Sequence, residues 1–504
     1  MREAGGAACA DPGHPDGIPA FNSRPEGEAT PRPEARMPSD PALLSARALA
    51  GLYARRALSP VEALDAILAR IARLNPRLNA IIALDEAGAR AAARASEARW
   101  QAGTPLSPLD GVPLTVKDNI TVAGLPCAWG SPLFRDFTPE RDELPVARAR
   151  AAGLVILGKT NVPEFTLQGY TDNTLFGPTR NPWNPALTPG GSSGGAVVAV
   201  AAGLGPLALG TDGGGSIRRP ASHTGLIGLK PSPGRVPRCD GLPAILLDLE
   251  QIGPIARTAA DLAALLALLS PPDPRDPASR GLPPLAAPVP PPRQRILYVS
   301  QFGANPVEPE ITTSVAIAAA RIARLGHCAE TGEAPFTAEE LGALFAPVSQ
   351  AGLAWLLAQK GGEPEAPMLR EMAAAGRALS PQAVFAAVDG IHGFRRRMAA
   401  FFQAWDLILT PAAAALPWPA RQVAPPVIDG QPVGPRGHAV FTNFANLGGL
   451  PGIALPCQPS ESGLPIGFQL VGPAGSDGLL CAMAAEWEAA KPWPDPVLGT
   501  CIGL

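Results

Sequence analysis

Lysine is scarce in this chain. Only five of its 41 Lys and Arg residues are lysines (Lys117, Lys159, Lys230, Lys360 and Lys491), leaving 36 arginines. That skew reads as genome composition, but it makes each lysine worth inspecting. Histidine is equally rare, with five residues (His14, His223, His327, His392 and His438). The seven cysteines include no C-x-x-C pair, and no His, Cys or carboxylate set has metal-ligand spacing. A disulfide framework and a zinc site are therefore not expected, and neither a cofactor nor a metal is called for. The N-terminus has no apolar run behind a basic start, and no stretch reaches the roughly 18 to 20 apolar residues of a membrane span. With a net charge of −3 and no basic run, nothing points to nucleic acid or an anionic membrane. A cytoplasmic protein is expected, with a homodimer left open.

Proline, by contrast, is abundant: 61 of 504 residues, roughly double the usual ~5%. Residues 1–40 are rich in Gly, Pro, Glu and Arg and read as a disordered extension, and Met37 is an alternative start. The sequence "SPVE" at Ser59 to Glu62 is a capping box with proline at the first helical position. Its helix is expected to stop at Asn75-Pro76. Residues 86–101 predict a second helix, "DGVPLTV" a strand ending in Lys117, residues 146–152 a helix, and 154–157 a strand. This β-α-β rhythm predicts an α/β fold, a sheet with helices on both faces. Residues 270–293 form a proline-rich connector, 335–405 read as mostly helical, and "DLILTP", "GIALPC" and "IGFQLVG" supply late strands. One domain over residues 41–500, with a divergent helical portion at about 300–430, fits better than independent domains.

Three motifs fail their context. "GLVILGKT" (Gly153 to Thr160) matches the phosphate-loop pattern, yet its variable positions are apolar and suit a buried strand. G-x-S-x-G occurs twice around Ser192 and Ser193, but "NPWNPALTP" before it is no strand, as a nucleophile elbow requires. "NIT" at Asn119 is a glycosylation sequon only in a secreted chain.

Two glycine-serine clusters, "TPGGSSGG" and "TDGGGSIRRP", lie between Thr188 and Pro220. A serine hydroxyl needs a base to become a nucleophile, and a tetrahedral intermediate needs N–H donors. Consecutive glycines let successive N–H groups converge with no side chain in the way. "GGGS" thus reads as an oxyanion hole ending in its own nucleophile, although taken alone it is more often a flexible turn.

The span from Gly190 to Ala221 resembles the signature of the amidase signature family. "DGVPLTVKDNI", "LGKTNVPEF", "FGPTRNPWNP", "GLIGLKPSPGRV", "NLGGLPGIALPC" and "GLPIGFQLVGP" extend the likeness over about residues 41–490. The resemblance implies an α/β/α fold with a mixed sheet and a Ser-cisSer-Lys triad. By position, Ser216 is the nucleophile, Ser192 the bridging serine after a cis peptide, and Lys117 the base. Gly213, Gly214, Gly215 and Ser216 supply the oxyanion hole. Ser193, Asp212 and Arg218 support the loop by hydrogen bonds, and Lys159 and Lys230 are structural. Pocket walls are expected from about residues 168–173 and 300–440. The implied activity is metal-independent hydrolysis of a small-molecule carboxamide through an acyl-enzyme. The alternative is the glutaminase component of a tRNA-dependent amidotransferase, its A subunit, and a third reading is a non-catalytic scaffold.

Overall fold

The computed structural model describes residues 40–285 and 289–490. The expected extension at 1–40, apart from Asp40, lies outside them, as do part of the connector and the last 14 residues.

Among the described residues, thirteen α-helices and thirteen strands follow one another along the chain. The strands are β1 (Ile81–Leu84), β2 (Pro113–Lys117), β3 (Val155–Thr160), β4 (Leu207–Asp212), β5 (Ile227–Lys230), β6 (Gln251–Ala256), β7 (Arg295–Tyr298), β8 (Cys328–Thr331), β9 (Leu407–Pro411), β10 (Val427–Ile428), β11 (Gln431–Pro432), β12 (Gly452–Pro456) and β13 (Gly467–Val471). All but the β10–β11 hairpin join one sheet, ordered β1-β3-β2-β4-β6-β5-β12-β13-β9-β7-β8. The sheet is mixed. β2 runs parallel to β3 and β4, β7 runs parallel to β8 and β9, and every other pair is antiparallel.

Alternate residues of a strand point to opposite faces, so a strand buried on both sides is apolar throughout. β3 shows this directly. Val155 and Leu157 pack with α2 (Pro60–Leu78), α3 (Glu86–Ala102) and α5 (Gly194–Ala201), while Ile156 belongs to the core on the other face. Helices α1 (Ala46–Ala54), α4 (Leu144–Ala151) and α7 (Ala259–Leu269) contribute to that second core. The α/β/α expectation holds.

Helix α2 departs from its expected end. It runs through Pro76 to Leu78 and is closed by Asn79 in the left-handed region (φ 51°), whose N–H donates to the Asn75 carbonyl. Proline this close to a helix end removes only one late hydrogen bond, so it does not stop the helix. The chain continues through α6 (Arg218–Thr224), α8 (Pro309–Arg324), α9 (Ala338–Lys360), α10 (Pro367–Ala378), α11 (Pro381–Phe401), α12 (Asn443–Leu447) and α13 (Asp477–Ala489). By length and composition α9 could cross a membrane, which the reading of the sequence did not anticipate. Here it packs against α10, α11 and α12.

Candidate active site

The parallel trio β3-β2-β4 sets the site. Open α/β sheets gather function where parallel strands end, and Lys117 closes β2 beside the end of β4. The register pairs Val116 with Leu209, so Lys117 and Thr211 follow within two residues at the same edge. The first glycine-serine loop enters from the β3–α5 connection and the second leaves β4 toward α6.

Lys117 is completely buried. Its Nζ lies 2.8 Å from Ser192 Oγ, 3.0 Å from the Thr211 carbonyl oxygen and 2.7 Å from Thr211 Oγ1. Three oxygen partners satisfy either the ammonium, with three donors, or the neutral amine, with two donors and a lone pair that accepts from Ser192. Burial pushes the Lys117 pKa down to about 7, against the opposing charges of Glu250 and Asp212 and with the help of Arg238 and Arg219. In the neutral state Thr211 takes both amine protons, and the Ser192 hydroxyl donates to the lone pair. Thr211 Oγ1 also stands 3.3 Å from Asn119 Oδ1, an acceptor for its own proton.

The Gly191-Ser192 peptide is cis. Ser193 donates its Oγ–H to the Thr211 carbonyl (3.1 Å) and its N–H to the Ser216 carbonyl (3.1 Å), tying the two loops together. Ser216 lines a small cavity with Gly213, Gly214, Gln168, Phe345 and Glu250. Its hydroxyl forms no hydrogen bond among the described residues, so Lys117 and Ser192 are joined while Ser216 Oγ is left to rotate. Catalytic hydrogen bonds often tighten only around a bound substrate. Of the expected pocket walls, Gln168, Phe345 and Arg436 reach this cavity.

Asp212 and Arg218 hold the second loop from beneath, and both are fully buried. Arg218 donates Nε to Asp212 Oδ2 and Nη2 to Oδ1, each at 3.0 Å. Asp212 also accepts the N–H groups of Gly215 (2.7 Å) and Ile217 (3.1 Å) and the Asn446 amide (3.0 Å). Despite burial, the Arg218 guanidinium and these donors hold its carboxyl far below the usual carboxylate range. Arg218 is itself satisfied by Gln469 Oε1 (2.9 Å) and Asn446 Oδ1 (2.7 Å), residues more than two hundred positions away.

This arrangement corrects one expectation. The Gly215 N–H donates to Asp212 Oδ1, so Gly215 does not stand among the open oxyanion donors. The N–H groups of Gly213, Gly214 and Ser216 have no acceptor among the described residues. Gly215 serves the loop through its φ of 115° and through its missing side chain. A Cβ there would lie 2.1 Å from Thr442 Oγ1.

Lys159 and Lys230 bond no serine among the described residues. Lys159 donates to the Asp118 carbonyl (2.9 Å) from within β3, which also disposes of the phosphate-loop match. Lys230 donates to the Pro231 carbonyl (2.9 Å). His223 faces the Ala415 carbonyl (3.1 Å), and among the described residues no histidine bonds Ser192 or Ser193 as an elbow would need. Asn119 of the sequon is buried against Thr211. Sequence reasoning missed Thr211, Asn119, Arg219 and Thr442. Thr211 lay inside a quoted motif, whereas Thr442 has no local signal and meets the loop only through folding.

The chain is similar to known proteins over most of its length. The family model "Amidase" matches residues 62–481. The A subunit of the glutamyl-tRNA(Gln) amidotransferase of Roseiflexus castenholzii is 37% identical, over 88% of this chain and 94% of that protein. Among solved structures, a bacterial aryl acylamidase of the amidase signature enzymes superimposes with a TM-score of 0.82 at 30% identity, covering 90% of this chain and 97% of that one. The 6-aminohexanoate cyclic dimer hydrolase gives 0.81 at 29% identity, covering 92% and 100%. The chain belongs to the amidase signature family, enzymes that hydrolyse amide C–N bonds.

Proposed function

We propose that Ser216 attacks the amide carbonyl, with Ser192 and Lys117 relaying its proton. The Ser216 Oγ–C bond forms as the hydroxyl proton passes to Ser192 Oγ and the Ser192 proton passes to Lys117 Nζ. The oxyanion takes N–H bonds from Gly213, Gly214 and Ser216. On collapse the C–N bond breaks, and the proton returns through Ser192 to the leaving nitrogen. Water then attacks the acyl-Ser216 by the same relay and releases the acid. The observation carrying this reading is the buried Lys117 amine, 2.8 Å from Ser192 and with a pKa lowered to about 7, which makes it a competent base at neutral pH.

Two substrate readings follow. The better supported is the glutamine-hydrolysing component of a tRNA-dependent amidotransferase, because the curated relatives at 35% to 37% identity carry that enzyme's name over nearly their whole length. In that role the chain works with partner proteins. A stand-alone amidase for small-molecule amides, the main reading of the sequence, draws on the structural likeness to an aryl acylamidase and a cyclic dimer hydrolase. Ammonia release from glutamine, and amine release from a panel of amides and anilides, separates them when measured with and without the other amidotransferase components. Glutamine turnover that depends on partners supports the first, and partner-independent turnover of simple amides supports the second.

A further inference from the structure

The cavity beside Ser216 contains more positive charge than its walls neutralise. Arg219, buried on α6, lines it from behind the oxyanion loop. Its Nη1 donates to the Gly214 carbonyl and to Thr442 Oγ1 (2.7 Å), and its Nη2 to the Gly191 carbonyl (3.5 Å). Its Nε is buried and has no partner among the described residues. Arg436 reaches the same cavity from the segment before α12 and donates to the Leu167 carbonyl (2.9 Å). Neither guanidinium forms an ion pair among the described residues.

The carboxylates nearby are already committed. Asp212 is bound to Arg218, and Glu250, on the cavity wall, is paired with Arg238 at 2.9 Å. His438 supplies no negative charge. It is buried, both ring nitrogens lack side-chain partners, and burial together with Arg219 and Arg436 holds its pKa well below the usual value. Arg219, buried and answered only by carbonyls and a hydroxyl, is a costly arrangement, and the exposed Arg436 adds a second positive charge at the cavity wall. A carboxylate is the group that compensates them, through charge-assisted hydrogen bonds to the planar fork of each arginine.

We propose that Arg219 and Arg436 form a subsite for a carboxylate on the substrate. The preferred amides are then those whose acyl part carries an acid group, such as glutamine-type side-chain amides and half-amides of short dicarboxylic acids. This rests on the reading of Ser216 as the nucleophile beside that cavity. It narrows both substrate readings to anionic or zwitterionic amides.

The test uses a matched pair, succinamate and butyramide, which differ by a carboxylate in place of a terminal methyl. The full chain should turn over succinamate with a kcat/KM about tenfold or more above that of butyramide, the gain expected of a charged hydrogen bond. Arg436→Gln should shrink that ratio about tenfold, mainly through KM for succinamate. Arg219→Gln also loosens both glycine loops, so Arg436→Gln is the deciding variant, with labelling of Ser216 by a neutral fluorophosphonate confirming an intact site. Turnover of butyramide equal to or faster than that of succinamate overturns the subsite and leaves the nucleophile reading standing. A preference for succinamate that survives Arg436→Gln also overturns it. Absence of turnover on every amide together with unlabelled Ser216 overturns the nucleophile reading, and the subsite with it.

Discussion

Thr211 holds Lys117 twice, accepting from its Nζ at the carbonyl oxygen (3.0 Å) and at the hydroxyl (2.7 Å). This leaves the third direction of the amine for Ser192. Thr211→Val keeps the shape and removes one acceptor. The kcat/KM should fall about tenfold, because a hydrogen bond is lost from a group that must be aimed. The acid limb of the pH profile should also move lower, since the ammonium form loses an acceptor. An unchanged rate and profile would show that Thr211 does not position the base.

The pH dependence of the parent enzyme follows from burial of Lys117. In the proposed relay its neutral form is the base, and with its pKa lowered to about 7, kcat/KM should rise with pH, reach half its plateau near 7 and then level. A profile flat down to pH 5, or one rising only toward 10, contradicts this assignment.

Stability carries the same signature. Lys117 and Lys230 are both lowered by burial from an ordinary value of 10.5 to about 7. Between these values the unfolded chain binds protons that the folded chain does not, so stability should rise as pH rises through that window. Lys230→Met should flatten the slope and raise Tm near pH 7, readable by thermal melts across pH 7 to 10.

Much of this site is written locally. The strand ending in Lys117 reads from "DGVPLTVK" because nearly every residue is apolar or small until the lysine, and the two glycine-serine loops announce themselves by composition. Other parts are not local. The antiparallel β5, β6, β12 and β13 bring Gln469 and Asn446 beneath Arg218, and no pattern near residues 446 or 469 indicates that pairing. The Gly215 N–H looked like one of four equivalent donors, since sequence cannot show that Asp212, three residues earlier, turns back to take it. The end of α2 is not legible at Pro76, because proline reads as a stop, whereas its place in the last turn makes it tolerable.

The buried Asp212–Arg218 pair should be a structural keystone. Removing either partner leaves an uncompensated buried charge, so Asp212→Ala or Arg218→Ala should cost about 3–5 kcal/mol. The double variant should lose less than the sum, as residues in one network are not additive. Denaturant titration of the three proteins measures both. Additive losses would mean that the two side chains do not act as a unit.

Gly215→Ala tests the loop itself. The new Cβ meets Thr442 Oγ1 and Arg219 Nη1 at 2.1 and 2.2 Å, at a φ of 115°. The loop must move, at about 1–3 kcal/mol for the disfavoured backbone, and turnover should fall with the displaced Gly214 and Ser216 N–H groups. A variant with parent activity and Tm would show that the loop geometry is not required.

The nucleophile itself is read most directly by trapping. The enzyme is treated with a serine-directed fluorophosphonate, digested, and the modified residue is located by mass spectrometry. The account predicts a single adduct on Ser216, absent after Ser216→Ala and strongly slowed by Lys117→Ala. An adduct on Ser192 or Ser193 with Ser216 unmodified would contradict it.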